Sequence, residues 1–384
     1  MNTEKKFEDI RPYVDEELPE VLKRLTKDPG FIYMLKKVKS EDEINAEFAQ
    51  LKNVHSIEQF QQQHIAPYVR NIAKLTIDEL TYDGIETIDP KKSFLFLGNH
   101  RDIILDSALL NSIFSQNDIP ISEIGLGDNL LIFDWIKDLV KLNRGFIVKR
   151  SLKGRQMLEA SMVLSEYIYR NIDENRRSVW LAQRPGRTKD GHDITHPGLV
   201  KMLMLNDRKN PEKVLNALNI CPVCISYQNE PCEESKILAS YHAEQNIPYE
   251  KTAEEDLKSM GRGLLYKKGR VHIHVSSPVD FTGKLSGKNL GDNEITAQAA
   301  KVIDNQLYQG YKLFSKNYAA YDLLNKSDKY LKVGKYNSEH RLKIEQEIER
   351  IANELGKEKQ VIKHIYTKMY ASPVANWEGS SGVI

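Results

Sequence analysis

Residues 93–106 read SFLFLGNHRDIILD. The apolar run ending at Gly98 has the length and composition of a short strand, and a helical pattern follows Asp102. Between the two lies a polar cluster, Asn99, His100, Arg101 and Asp102, with Asp106 shortly after it. A strand that delivers charged residues to the start of a helix belongs to a repeating strand–helix architecture, and the same pattern recurs downstream. RGFIVK, SVWLAQ, CPVCISY and RVHIHVSS are further strand-like runs, with helical stretches between most of them. Continuous apolar strands alternating with helices predict an α/β fold: a central, mostly parallel (mixed) sheet with helices on both faces. In such sheets ligands bind beyond the C-terminal ends of the strands, which is where the polar clusters fall.

Outside this region the pattern changes. Residues 1–76 read as an N-terminal helical domain, residues 77–300 as the α/β domain, and residues 301–384 as a C-terminal helical extension. In SIEQFQQQHIAPYVRNIAKL, Ser56 and Gln59 have capping-box spacing, and Phe60, Ile65, Tyr68, Val69, Ile72 and Leu75 form one stripe. Pro67 is expected to kink that helix. Near the other end, Ile344, Ile348, Ile351 and Leu355 make a stripe that stops at Gly356. The tail ASPVANWEGSSGVI has turn residues and no period, so a loop is expected there.

Composition narrows the class. The chain has 384 residues, 40% hydrophobic and 28% charged, with a formal net charge of +1. That balance is globular, and the near-neutral charge argues against a dedicated nucleic-acid partner. No apolar run reaches the length of a membrane span, and the first residues lack a secretory pattern, so a cytoplasmic location is expected. The three cysteines, Cys221, Cys224 and Cys232, read as free thiols of a reducing compartment with structural roles.

HRD invites comparison with a kinase catalytic loop, which needs a Gly-rich loop upstream, a metal-binding Asn after the Asp and a later Asp-Phe-Gly. Only Gly30, Gly84 and Gly98 precede His100, Ser107 stands where the Asn should, and no DFG follows. The kinase reading fails. A His followed by a carboxylate at a strand–helix junction suits a different task, in which imidazole takes a proton from a hydroxyl and the carboxylate fixes its tautomer.

Four blocks in order give that reading weight: NHRDIILD, RGFIVKR, VWLAQRPGRTKDG and CPVCISYQNEP. Together they resemble the glycerolipid acyltransferase superfamily, which includes glycerol-3-phosphate and lysophosphatidate acyltransferases, over roughly residues 80–280. The resemblance implies a His general base without an acyl-enzyme. It implies an acyl-CoA or acyl-ACP thioester as co-substrate, no bound cofactor or metal, and a lipid acceptor such as glycerol 3-phosphate or 1-acyl-glycerol 3-phosphate. Carried onto this chain it makes His100 the base, with Asp106 or Asp102 as its partner. Arg150, Arg184, Arg187, Lys149 and Lys189 become phosphate-binding candidates, and Asn99, Arg101 and Gly186 accompany them in the motifs. Two departures stand out. Five residues, not four, separate His100 from Asp106, and Pro185 replaces the acidic residue of the third block.

A protein of this kind would be peripheral on the inner face of the cell membrane, with acyl carrier protein as a further candidate partner. The stretch NLLIFDWIKDLVKLN is greasy from Leu130 to Val140 and reads as a membrane-surface element or the lining of an acyl tunnel, with Lys137 and Lys141 reaching lipid phosphates, or as a helix packed on the sheet. His272 and His274 alternate with Val271, Ile273 and Val275 as sheet residues do, and His192 and His196 read as loop residues. The competing readings are acylation of another acceptor, an amino-acid lipid or a sugar, and a non-catalytic lipid-binding relative.

Overall fold

The computed structural model describes residues 5–36, 39–249, 253–285 and 291–381. Among the described residues seven strands form one sheet: β1 (Ile77–Asp83), β2 (Leu95–Gly98), β3 (Glu123–Gly127), β4 (Gly145–Val148), β5 (Val179–Ala182), β6 (Ile220–Tyr227) and β7 (Gly269–Val275). Their order is β1-β7-β6-β2-β5-β3-β4, and every neighbouring pair is parallel except β6 with β7. The sheet is therefore mixed and mostly parallel. β2 lies near its middle, with Gly98 in register between Ala182 of β5 and Val223 of β6.

Both faces of the central strands are buried, which is why these strands read as unbroken apolar runs. Leu95, Leu97, Val179 and Leu181 face one core with the helix Gly154–Asp173, through Leu164, Ile168 and Ile172, and the helix Asp292–Gln309, through Ala299 and Ile303. Phe94, Phe96 and Trp180 face the opposite core with Val223 and Ile225, beneath the helices Leu105–Gln116 and Ala66–Thr76.

Two helical layers flank the sheet. Leu18, Val21, Leu25, Leu51 and Phe60 of the N-terminal helices pack around Leu142, so these helices cover the segment Asp134–Leu142. This answers the greasy stretch. Ile136 and Leu142 are buried, and Lys141 is buried with its ammonium near Glu8 O and over the Tyr13 ring, so it does not reach outward. Only Ile132 and Phe133, just before that helix, are exposed large apolar residues in the stretch. The stripe expected in residues 56–75 is also interrupted. A π-helical turn at Gln61–Ile65 resets the phase, Pro67 sits in the first turn of the next helix, and Tyr68 and Leu75 are exposed while Val69 and Ile72 are buried.

The C-terminal tail corrects the sequence reading more strongly. As far as Ser381 it is no loop: a helix runs Lys359–Ser381, through Pro373, and residues 382–384 lie outside the described residues. Tyr366, Met369, Tyr370, Ala371 and Val374 bury against Ile344, Ile348 and Ile351, and this packing overrides the weak local propensity. Pro373 has no N–H to offer the Met369 carbonyl four residues back. Gly191 packs on that carbonyl, where a Cβ would lie 2.0 Å from Met369 O, at a φ of +72°. The third sequence block is thereby docked on the C-terminal helix.

Candidate active site

The site starts where β2 ends. Gly98 has no side chain because the Trp180 indole fills that space; a Cβ would sit 2.8 Å from its Nε1. The indole then meets the His100 ring edge-on at 6.3 Å. His100 is largely buried, with its Nδ1 3.2 Å from Asp106 Oδ2. The same oxygen accepts the backbone N–H groups of Arg101 at 2.7 Å and Asp102 at 2.8 Å, and Oδ1 accepts the Tyr227 hydroxyl at 3.0 Å. Four donors around a fully buried carboxyl are what an acceptor-only carboxylate requires. Burial, together with the adjacent Asp106, pushes the Tyr227 phenol well above its ordinary pKa, so it stays protonated and donates.

This geometry resolves the spacing. Residues 101–104 form a bend rather than helix, and the helix begins at Leu105. The extra residue is absorbed in that bend, so no helical rotation separates His100 from Asp106. Asp102 has another task. Its Oδ1 accepts Ile104 N–H at 2.9 Å and Leu105 N–H at 2.8 Å, satisfying orphan donors at the helix start.

The other motif residues divide into buried and outward groups. Asn99 is buried, donating to Asp193 and the Ile225 carbonyl and accepting Ile225 N–H. Arg101 is also buried, with Nη2 2.6 Å from Asp193 Oδ2 and Nη1 3.2 Å from Glu230 Oε2, so its guanidinium is a structural cation. Lys236 completes this cluster by donating to Arg101 O and pairing with Glu230. Gly186 sits at a φ of +74° in an exposed turn with Pro185. Thr188 N–H donates to His100 O at 2.8 Å, which straps the third block to the first. Arg184 and Arg187 flank this turn and form no ion pair among the described residues; Arg187 donates to Ser259 at 3.0 Å. Lys189 is exposed. Arg150 and Lys149 lie elsewhere, beyond the edge strand β4. Arg150 packs on Gly127 and bonds Asp128 through its backbone, and Lys149 is 3.4 Å from Asp9. The second and third basic clusters are thus separated by the end of β3.

The residue that sequence reasoning missed is Asp193. It is fully buried and accepts from Arg101, Asn99, Thr188 Oγ1 at 2.7 Å and the Tyr311 hydroxyl at 2.8 Å, while Tyr308 donates to its carbonyl. Burial alone would raise its pKa, but Arg101 and these donors outweigh that and hold it below the ordinary value. Asp193 joins β2, the third block and the C-terminal region at one carboxylate. Only the KDGHD spelling hinted at it, and nothing local marks that aspartate as buried.

The remaining candidates have structural settings. His272 and His274 both reach Asp83 across the β1–β7 pairing. His192 Nδ1 bonds Asn376 at 2.6 Å, and His196 accepts Gly198 N–H at the start of a helix. The three cysteines are free and buried, and burial pushes the Cys221 and Cys224 thiols up. Among the described residues no helix is long and apolar enough to cross a membrane.

No protein-family model matches the chain. Over 217 residues, 56% of its length, the chain is 23% identical to a dihydroxyacetone phosphate acyltransferase from Bos taurus, of which it spans only 30%. Among solved structures, the 1-acyl-sn-glycerophosphate (LPA) acyltransferase PlsC from Thermotoga maritima aligns at a TM-score of 0.34 with 14% identity, covering 75% of this chain and 93% of that one. The chain is distantly related to the glycerolipid acyltransferase superfamily.

Proposed function

We propose that the protein is an acyltransferase that moves a fatty acyl chain from an acyl-CoA or acyl-ACP thioester to a hydroxyl of glycerol 3-phosphate or 1-acyl-glycerol 3-phosphate. The observation that carries this reading is the His100–Asp106 pair at the C-terminal end of β2, strapped to a loop with two guanidinium groups that have no acid partner among the described residues. With Nδ1–H donated to Asp106, Nε2 is the basic nitrogen. It takes the acceptor's proton as that oxygen attacks the thioester carbonyl carbon. The C–S bond then breaks, and the imidazolium returns the proton to the departing thiolate, yielding ester and free thiol. No acyl-enzyme forms. Arg184 and Arg187 are the proposed receptors of the acceptor's phosphate, since planar guanidinium forks suit its oxygens. Arg150 and Lys149 extend the basic rim beyond β4.

On this reading the protein works at a membrane surface, peripheral on its inner face, where its acylated product partitions, with exposed Ile132 and Phe133 as contact residues. The test is an assay of purified protein with labelled acyl-CoA or acyl-ACP and a panel of glycerol, sugar and amino-acid-lipid acceptors, beside a His100→Ala variant. Thiol release that depends on a glycerophosphate acceptor and is lost in the variant is the expected result. Thioester left intact with every acceptor sinks the proposal.

A further inference from the structure

We propose that Ser259 is the positioning residue that aims Arg187 at the acceptor's anionic group, which makes the helix Ala253–Leu265 a wall of the acceptor site. That helix lies outside all four sequence blocks. What is bound rests on the acyl-transfer reading above; the geometry does not.

The helix is fastened to the catalytic loop along one face. Gly263 approaches so closely that a Cβ would lie 2.5 Å from Asp102 Oδ2 and 2.9 Å from Cys232 Sγ. One turn earlier on the same face, the Ser259 carbonyl accepts the Cys232 thiol at 3.1 Å. Ser259 itself is buried, and its hydroxyl accepts Arg187 Nη2 at 3.0 Å. Arg187 directly precedes Thr188, whose N–H holds the His100 carbonyl, so the guanidinium is anchored one residue from the strap to the proposed base.

The nature of the anchor decides what Arg187 can do. Arg101 is held by two carboxylates, Asp193 and Glu230, which neutralise it. Arg187 is held by a neutral hydroxyl and has no ion pair among the described residues, so its orientation is fixed while its charge remains available. Its Nη1 is buried with no hydrogen-bond partner among the described residues. A desolvated donor without an acceptor is unfavourable, and an anion bound beside it removes that cost.

The experiment measures binding of sn-glycerol 3-phosphate, with glycerol as the uncharged control, by calorimetry on the full chain, and the acceptor KM and kcat in the transfer assay. Ser259→Ala is expected to weaken glycerol 3-phosphate binding about fivefold to tenfold, the loss of one hydrogen bond to an oriented cation. The effect falls on the acceptor KM more than on kcat, and Ser259→Thr restores most of it. In an Arg187→Gln background the same Ser259→Ala change has no further effect. Circular dichroism of each variant checks the fold. Equal binding by wild type and Ser259→Ala overturns the assignment, as does an undiminished effect of Ser259→Ala without Arg187, or a wild-type protein that does not bind glycerol 3-phosphate. A wild type that binds it through Arg187 and Ser259 but transfers no acyl group leaves the positioning intact and refutes the transfer reading.

Discussion

Asp106 Oδ2 holds His100 Nδ1 at 3.2 Å while accepting the N–H groups of the two residues that follow the histidine. One oxygen therefore fixes both the ring and the backbone that carries it, so disturbing Asp106 disturbs the whole bend. Asp106→Asn offers a neutral oxygen or an N–H to these donors and loses control of the imidazole tautomer. We expect kcat for acyl transfer to fall about 100-fold or more, with acceptor KM changed far less. Asp102→Asn is expected to cost about 1 kcal/mol or less in stability and only a few-fold in rate, because its carboxylate caps a helix. Rates and denaturant midpoints of the two variants measure the contrast; a larger rate loss in Asp102→Asn would reverse the assignment.

Tyr227 comes from the fourth block and reaches the oxygen of Asp106 that the histidine does not use. Tyr227→Phe leaves Asp106 one buried donor short. The expected cost is about 1–2 kcal/mol of stability and a several-fold drop in kcat, read by urea unfolding and steady-state kinetics. Unchanged kcat would show that the backbone donors suffice.

Asp193 ties the loop of the third block to the first by tertiary contact, through Arg101 and Thr188. Pro185 is exposed, whereas Asp193 is buried on Arg101. Asp193→Asn leaves that guanidinium with Glu230 alone, and about 3–5 kcal/mol of stability should be lost, measured by thermal and denaturant unfolding. Because its folded pKa lies below the ordinary 3.8, the ionised group's stabilisation is present at neutral pH and is lost as pH falls through the folded value. Pro185→Glu should raise the transfer rate less than about twofold, since an exposed glutamate adds no buried brace. A large gain would show that the loop is under-braced.

Asp304 behaves in the opposite sense. Burial, with Asp193 nearby, raises its pKa from 3.8 to about 6, although Thr195 N–H donates to it. A raised folded value favours the folded state below the unfolded pKa, and that advantage disappears as pH rises through 6. Asp304→Asn keeps an acceptor for Thr195 and removes the buried charge. It should stabilise the protein at pH 8 by about 1–3 kcal/mol and change little at pH 4, as read from unfolding curves at both values. Equal effects at the two pH values would contradict it.

Much of the fold was legible because burial on both faces writes a strand as an unbroken apolar run. That holds for β2, β4, β5 and β6, and β7 was legible from the alternation of Val271, Ile273 and Val275 with polar residues, whereas β1 and β3 escaped notice. β1 is an edge strand with mostly exposed side chains, and β3, EIGLG, carries two glycines and a glutamate. The helix through Pro373 escaped for a related reason, since its stability comes from partners distant in sequence.

The sequence by itself determined that a histidine and aspartates would stand at the end of one strand, with arginines at the ends of others, because local periodicity sets where strands stop. Tertiary structure alone decided which aspartate meets His100, since the bend at 101–104 is shaped by hydrogen bonds to a residue further on. It also decided that Arg101 is neutralised by Asp193 and Glu230 while Arg187 rests on an uncharged hydroxyl. All are arginines in similar polar settings along the chain. Their different chemistry follows from which groups share their burial, and burial is a property of the packed whole.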